Sequence, residues 1–158
     1  MNEFALARVI HVLAVVLWIG GVAMVTTVLI PIIRTTPSDA NAVEMFERFE
    51  KRFAWQAKFV ILIAGGSGFY MLDLIDAWNR YSEPRFWWIH AMTIVWALFM
   101  FVLWVAEPLF LNRLFKKHAR TNPEKTFVFV HGFHMVLLTL SLVTIAGAVA
   151  GSHGWFPI

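Results

Sequence analysis

Six histidines stand out in this chain of 158 residues, because four of them lie in long apolar segments that hold few other reactive groups. The four are His11, His90, His131 and His134. An imidazole nitrogen binds haem iron, copper and zinc, and it also takes up protons near neutral pH. Coordinating groups within apolar, membrane-length segments are costly and are therefore functional candidates by default.

His11 and His90 occupy similar places in two predicted helices. Each histidine follows an isoleucine near one end of its helix, and a proline, Pro31 or Pro108, lies near the other end. This weak internal repeat puts the two imidazoles at the same depth. If the helices face each other, two axial nitrogens and an apolar slot would suit a b-type haem. The alternative is a pair of interfacial histidines bonded to carbonyl groups or lipid.

Several neighbouring residues extend this candidate site. Trp18 continues the His11 face seven residues later, and Met71 is an alternative axial ligand. Gly65 and Gly68 remove side-chain bulk from the second helix. These glycines would admit a flat macrocycle, or they would let helices pack closely.

His131 and His134 share one helical face at the opposite end of the predicted bundle. Such a pair can chelate copper or zinc, with Glu107 as a third ligand, or supply one ligand to a second haem. Two interfacial histidines are the simpler alternative. His118 and His153 lie in polar segments, where we expect them to be solvated.

The elements that position these residues follow from hydropathy. The chain is 59% hydrophobic and 15% charged. Stretches without Asp, Glu, Lys or Arg are 9–33, 59–72, 86–106 and 126–152. A membrane-spanning helix needs roughly 20 apolar residues. We predict one all-α domain over 1–158, an integral membrane four-helix bundle with helices at about 5–33, 54–78, 86–112 and 126–151.

A short amphipathic helix is predicted before the second membrane helix. Phe46, Phe49 and Phe53 recur at helical spacing, and Glu44 and Arg48 form an i, i+4 pair. This segment would cover the end of the bundle or lie on lipid, with docking of a partner as a further alternative.

Charge asymmetry predicts the topology. One side carries Arg34, Arg48, Lys51, Arg52, Arg113, Lys116, Lys117, Arg120 and Lys125, and the other carries Arg8, Arg80 and Arg85. The positive-inside rule places the two basic loops in the cytoplasm and both termini outside. We predict a multi-pass protein of a bacterial inner (plasma) membrane. Its partner is the lipid bilayer, nucleic acid is not expected, and a homo-oligomer is left open.

Two short stretches resemble known families. Residues 8–21, from Arg8 through His11 and Trp18 to Gly21, look like the first helix of the copper-resistance CopD-like membrane proteins. They are also similar to the first helix of the HemJ-type protoporphyrinogen oxidases. Trp88-Ile89-His90 resembles the Trp-Leu-His of the HemJ type.

The resemblance implies a four-helix membrane fold with haem b on the HemJ side and copper on the CopD side. It makes His11 the haem ligand and His90 the second functional histidine. HemJ-type proteins carry a lysine two residues after the helix 3 histidine, where this chain has Met92. The charge that would meet a porphyrin propionate is therefore missing, which weakens the oxidase interpretation.

The first functional hypothesis is a small membrane b-type cytochrome, with iron held by His11 and His90, in electron transport with a quinone or a partner protein. The alternatives are a copper-binding or copper-transport protein, a porphyrin-oxidising enzyme, and a structural membrane subunit. The absence of cysteine excludes covalent haem attachment through cysteine thiols. No catalytic acid–base pair is identifiable, so no catalytic residue is assigned and the enzyme question stays open.

Overall fold

A computed structural model describes residues 2–35 and 40–155 of the chain. Over these residues the protein is all-helical, without a strand. Four of the helical stretches are long and apolar enough to cross a membrane: Glu3–Thr35, Glu44–Leu74, Pro84–Ala119 and Pro123–Ser152. This confirms the predicted helix number and order.

The first stretch contains a widened helical turn near its C-terminal end. Helix α1 (Glu3–Met24) continues through a π-helical segment (Val25–Leu29) into α2 (Ile30–Thr35). Pro31 is the second residue after this segment, so the residue four positions before it, Thr27, lies within the segment. A proline lacks the backbone N–H and its ring clashes with the carbonyl four residues earlier, so the widened turn relieves a conflict that a regular α-helix would contain.

The second stretch is longer than predicted at its start and shorter at its end. Helix α3 (Ala40–Leu74) includes the amphipathic segment without a break. Phe46 is fully buried and packs against the rings of Phe115 and Phe127, at centroid distances of 5.4 and 5.2 Å. The amphipathic segment therefore covers one end of the bundle, which is one of its three expected placements.

Helix α3 ends at Leu74 because the chain turns into a left-handed conformation at Asp76, with φ of 45°. The Ala77 N–H donates to the Leu72 carbonyl at 2.9 Å, and the Asp76 N–H donates to the Asp73 carbonyl at 3.1 Å. This pair of bonds is the Schellman arrangement, which satisfies the last carbonyls of a helix. Two 3₁₀ turns follow, Trp78–Ser82 and Pro84–Phe86.

The last two stretches complete the bundle. Helix α4 (Trp87–Phe101) runs into a π-helical segment (Val102–Leu111) that contains Pro108, and then into α5 (Asn112–Thr121). Helix α6 (Pro123–Ser152) begins with a proline at its first position, where the missing N–H costs nothing.

Neighbouring helices are antiparallel. Because successive stretches alternate in direction, α1 and α4 run the same way. The main contacts join α1 to α3 and α4 to α6, which places α1 and α4 at diagonal corners of the bundle. We call the end that carries both chain termini the termini end, and the end with the lysine- and arginine-rich connections the basic end. Large apolar side chains are exposed all around the bundle, including Val16, Ile94 and Phe129. An apolar exterior of this extent is typical of a surface that faces lipid.

Candidate functional site

His11 is held by the backbone of α3. Its Nδ1 lies 2.8 Å from the Ala64 carbonyl oxygen and 3.3 Å from the Ser67 hydroxyl oxygen. Because a carbonyl oxygen only accepts, Nδ1 carries the hydrogen, and Nε2 keeps its lone pair. Histidines that bind metals usually donate their second ring N–H to a carbonyl or carboxylate in this manner. His11 is therefore oriented as a ligand that would bind through Nε2.

Gly68 makes this position of the His11 ring available. A Cβ at residue 68 would lie 3.2 Å from His11 Cε1 and 3.4 Å from His11 Nδ1, which is tighter than ordinary van der Waals contact. The absence of a side chain thus lets the imidazole lie close to α3, where it reaches the Ala64 carbonyl.

Gly65 makes room for a different side chain, that of Trp96. A Cβ there would lie 2.4 Å from atoms of the Trp96 indole, whose Nε1–H donates to the Ile61 carbonyl at 3.0 Å. Gly66, between these two contacts, has nothing within 4 Å. The space at Gly65 and Gly68 is thus taken by Trp96 and His11, which is the close-packing alternative expected for such glycines.

Trp18 connects the first and third membrane helices across the core. It is 5% exposed and meets Phe99 edge to face, with ring centroids 4.9 Å apart. Its Nε1–H is buried and has no hydrogen-bond partner among the described residues. A buried donor without a partner is uncommon and costs free energy. Trp18 thus marks the interior face of α1, and His11, seven residues earlier, shares that face.

His90 lies in an aromatic row at the edge of the bundle. Its ring meets the Tyr81 ring edge to face at 5.1 Å, and Tyr81 in turn stacks on Trp78. The Tyr81 hydroxyl donates to Thr93 Oγ1 at 2.6 Å, because the Thr93 hydroxyl already donates to the Ile89 carbonyl. Tyr81 and the 3₁₀ turn that carries it therefore cover His90.

The face of α4 that carries His90 points away from the core. Ile94 and Ala97, four and seven residues later on the same face, are exposed. Phe99, which contacts Trp18, is nine residues from His90 and so lies on the opposite side of the helix. No hydrogen bond or ring contact joins His11 to His90 in the described chain. Their pairing stays a prediction, and it would require α4 to turn about its axis.

His131 and His134, at the basic end, form hydrogen bonds with different partners. Arg34 Nη1 donates to His131 Nδ1 at 2.9 Å, which requires an unprotonated Nδ1 on that ring. His134 Nδ1–H donates to the Val130 carbonyl at 2.9 Å and leaves Nε2 available. A guanidinium beside this pair opposes the binding of a cation through like-charge repulsion.

Glu107, expected as a third metal ligand, faces another partner. Its Oε2 lies 2.9 Å from Lys58 Nζ, and these side chains are only 17% and 23% exposed. The Lys58–Glu107 ion pair does not have the geometry of a hydrogen bond. The side-chain amide of Asn112 donates a hydrogen bond to the other Glu107 oxygen, Oε1, at 3.4 Å. The carboxyl group of Glu50 is near enough to Glu107 for the two like charges to repel each other.

Among the described residues, no three His, Cys, Asp or Glu side chains lie close enough to hold one metal ion. The sequence-based interpretation did not identify the Lys58–Glu107 pair. It treated Glu107 as a possible metal ligand and named no partner for Lys58. The available signal was charge itself, because each residue interrupts or ends an apolar run and opposite charges in such runs usually pair.

Comparison of the chain with models of known families, with curated proteins and with solved structures finds no match. Over the described residues, the fold and the site define a class: an all-helical protein with four helices able to cross a membrane and a half-buried histidine oriented by a backbone carbonyl.

Proposed function

We propose that this chain is a small membrane haem protein of the b type, with His11 as an axial ligand. The observation that carries the proposal is the bond from His11 Nδ1–H to the Ala64 carbonyl, which fixes the ring and leaves Nε2 with a free lone pair. Bound haem would supply one-electron chemistry, with a quinone or a partner protein as the exchange partner.

The chain's own residues fit an axial nitrogen ligand in three respects. Gly68 allows the His11 ring to lie against α3, Ala64 sets its tautomer, and the buried apolar side chains of Ala14 and Trp18 follow His11 on the same face of α1. An apolar shell of this kind raises the cost of net charge at the iron, and it thereby tunes the reduction potential.

The decisive test is an oxidised-minus-reduced visible spectrum of the detergent-purified protein, with a pyridine haemochrome assay for haem content. We expect about one haem per chain and a sharp α-band on reduction. His11→Ala should abolish both signals, whereas His153→Ala, the matched change in an exposed histidine, should leave them intact. A colourless wild-type protein after expression with ample haem would sink the proposal.

Copper binding is the second candidate, and the free Nε2 of His134 next to His131 favours it. Its test is elemental analysis of copper in the wild type and in Arg34→Ala. Removing the guanidinium that occupies His131 Nδ1 should increase bound copper if these histidines are the site. Copper content that does not respond to Arg34→Ala or to His134→Ala would exclude this location.

The orientation in the membrane is also a proposal, and the positive-inside rule supports it. Because the chain has no cysteine, single cysteines can report it without background. Ser82 and Thr121 are exposed connecting residues at the termini end and the basic end, respectively. In intact cells, an impermeant maleimide should label Ser82→Cys and should label Thr121→Cys only after the membrane is opened. The reverse pattern would place the basic loops outside.

A further inference from the structure

Met92 lies on the face of α4 that points into the bundle. Phe99 contacts Trp18 in the core, and Met92 is seven residues before Phe99, which places it on nearly the same side of the helix, about 20° away. Trp88, four residues before Met92, and Val95, three residues after it, are both buried. Met92 itself is half-buried.

The Trp18–Phe99 contact also fixes the depth of Met92. Helices α1 and α4 run in the same direction from the termini end, and these two rings meet with centroids 4.9 Å apart. His11 precedes Trp18 by seven residues, and Met92 precedes Phe99 by seven. Each is therefore displaced by about 10.5 Å along its helix toward the termini end. His11 and Met92 lie at one level, on faces that look toward each other.

A second and independent contact gives the same level. The Trp96 indole lies against Gly65 of α3, which is antiparallel to α4. Met92 is four residues before Trp96, and Gly68 is three residues after Gly65, so both are about one turn closer to the termini end. Gly68 is the residue on which the His11 ring rests. Met92, Gly68 and His11 thus form one layer of the bundle.

We propose that the Met92 thioether is the second axial ligand, so that the haem is held between His11 Nε2 and Met92 Sδ. This inference rests on the proposed haem function and names the ligand pair of the same site. Histidine–methionine ligation is a known way to hold haem iron, and the thioether raises the reduction potential relative to two imidazoles. His90, two residues before Met92, faces the opposite side of α4 and meets Tyr81.

The test compares four variants of the haem-loaded protein with the wild type. Ferric haem with a methionine ligand shows a sulfur-to-iron charge-transfer band at long wavelength. Met92→Leu should lose this band and lower the reduction potential. Met92→His should retain the haem, lose the band and give a bis-imidazole spectrum, so it remains informative if Met92→Leu binds haem poorly. Met71→Leu makes the same chemical change on α3 and should keep the band, and His90→Gln should keep it too.

The results test the His11–Met92 ligand pair separately from the proposed haem function. Loss of the band in Met92→Leu or Met92→His, with the band retained in Met71→Leu and His90→Gln, supports the His11–Met92 pair. A wild-type haem protein without the band, or one whose ligation changes with His90→Gln or Met71→Leu and not with Met92→Leu, overturns the inference and leaves the haem function standing. A wild type that binds no haem overturns both.

Discussion

The imidazole of His11 rests on Gly68, with His11 Cε1 only 3.2 Å from the point that a Cβ on residue 68 would occupy. The ring is held there by its bond to the Ala64 carbonyl. A residue on α3 that carries no chemistry of its own thus determines where the ligand atom of α1 points.

Gly68→Ala should therefore displace the His11 ring and lower haem content several-fold. Alanine favours a helix by about 1 kcal/mol over glycine, so a loss of haem would not reflect a weaker helix. Gly66→Ala is the matched control, because nothing lies within 4 Å of its Cβ position. The measurement is haem per chain by pyridine haemochrome, for both variants purified in parallel. Equal haem content in the two would show that Gly68 does not position His11.

Gly65→Ala should destabilise the bundle by about 1–3 kcal/mol, because the new methyl group would overlap the Trp96 indole. The indole has little room to move, since its Nε1–H is bonded to the Ile61 carbonyl. The free energy of unfolding in detergent, followed by circular dichroism, would report the loss. Gly20→Ala, also open around its Cβ position, should show no loss. A Gly65→Ala protein as stable as Gly20→Ala would contradict this packing.

Lys58→Met should lower the free energy of unfolding by about 3 kcal/mol, because it leaves the Glu107 carboxylate largely buried without its counter-charge. The double variant Lys58→Met/Glu107→Gln should recover most of this loss, since it removes both charges. Lys125→Met, at an exposed lysine, is the control for loss of a positive charge. No recovery in the double variant would argue against a direct Lys58–Glu107 interaction.

Asp76→Gly should stabilise the protein by about 1 kcal/mol. Asp76 adopts a left-handed backbone conformation, which is costly for a residue with a Cβ and open to glycine. The Schellman bonds at the end of α3 would remain. Asp73→Gly, three residues earlier and within the helix, should have the opposite sign. The midpoints of thermal unfolding of the two variants, compared with the wild type, test the difference in sign.

The four long helices could be predicted because a run of apolar residues without charge has few other stable forms. The bounds differ from the prediction in both directions: the third helical stretch was predicted to end at about residue 112 and continues to Thr121, whereas α3 was predicted to end at residue 78 and ends at Leu74. That end depends on Asp76 in a left-handed conformation, which aspartate adopts less readily than glycine. A glycine at that position would have signalled the helix end.

Which side of each helix points to the core and which points to lipid could not be predicted in the same way. Helix α4 is apolar on every side, so its sequence does not distinguish the core face from the lipid face. The choice of His90 followed from its residue type, from the internal repeat with His11 and from the family resemblance, and none of these reports which side of α4 faces the core. Only the contacts of Phe99 and Trp96 with neighbouring helices reveal that Met92 points inward.

The π-helical segment Val25–Leu29 has a consequence for the history of this chain. A π turn holds about one residue more than the α turn it replaces, and one residue corresponds to about 100° of rotation. A homologue that lacks the extra residue would have every later position of this helix rotated by that angle, and Arg34 would no longer point at His131. Alignments of such homologues should therefore place a single-residue gap inside the membrane helix rather than in a loop.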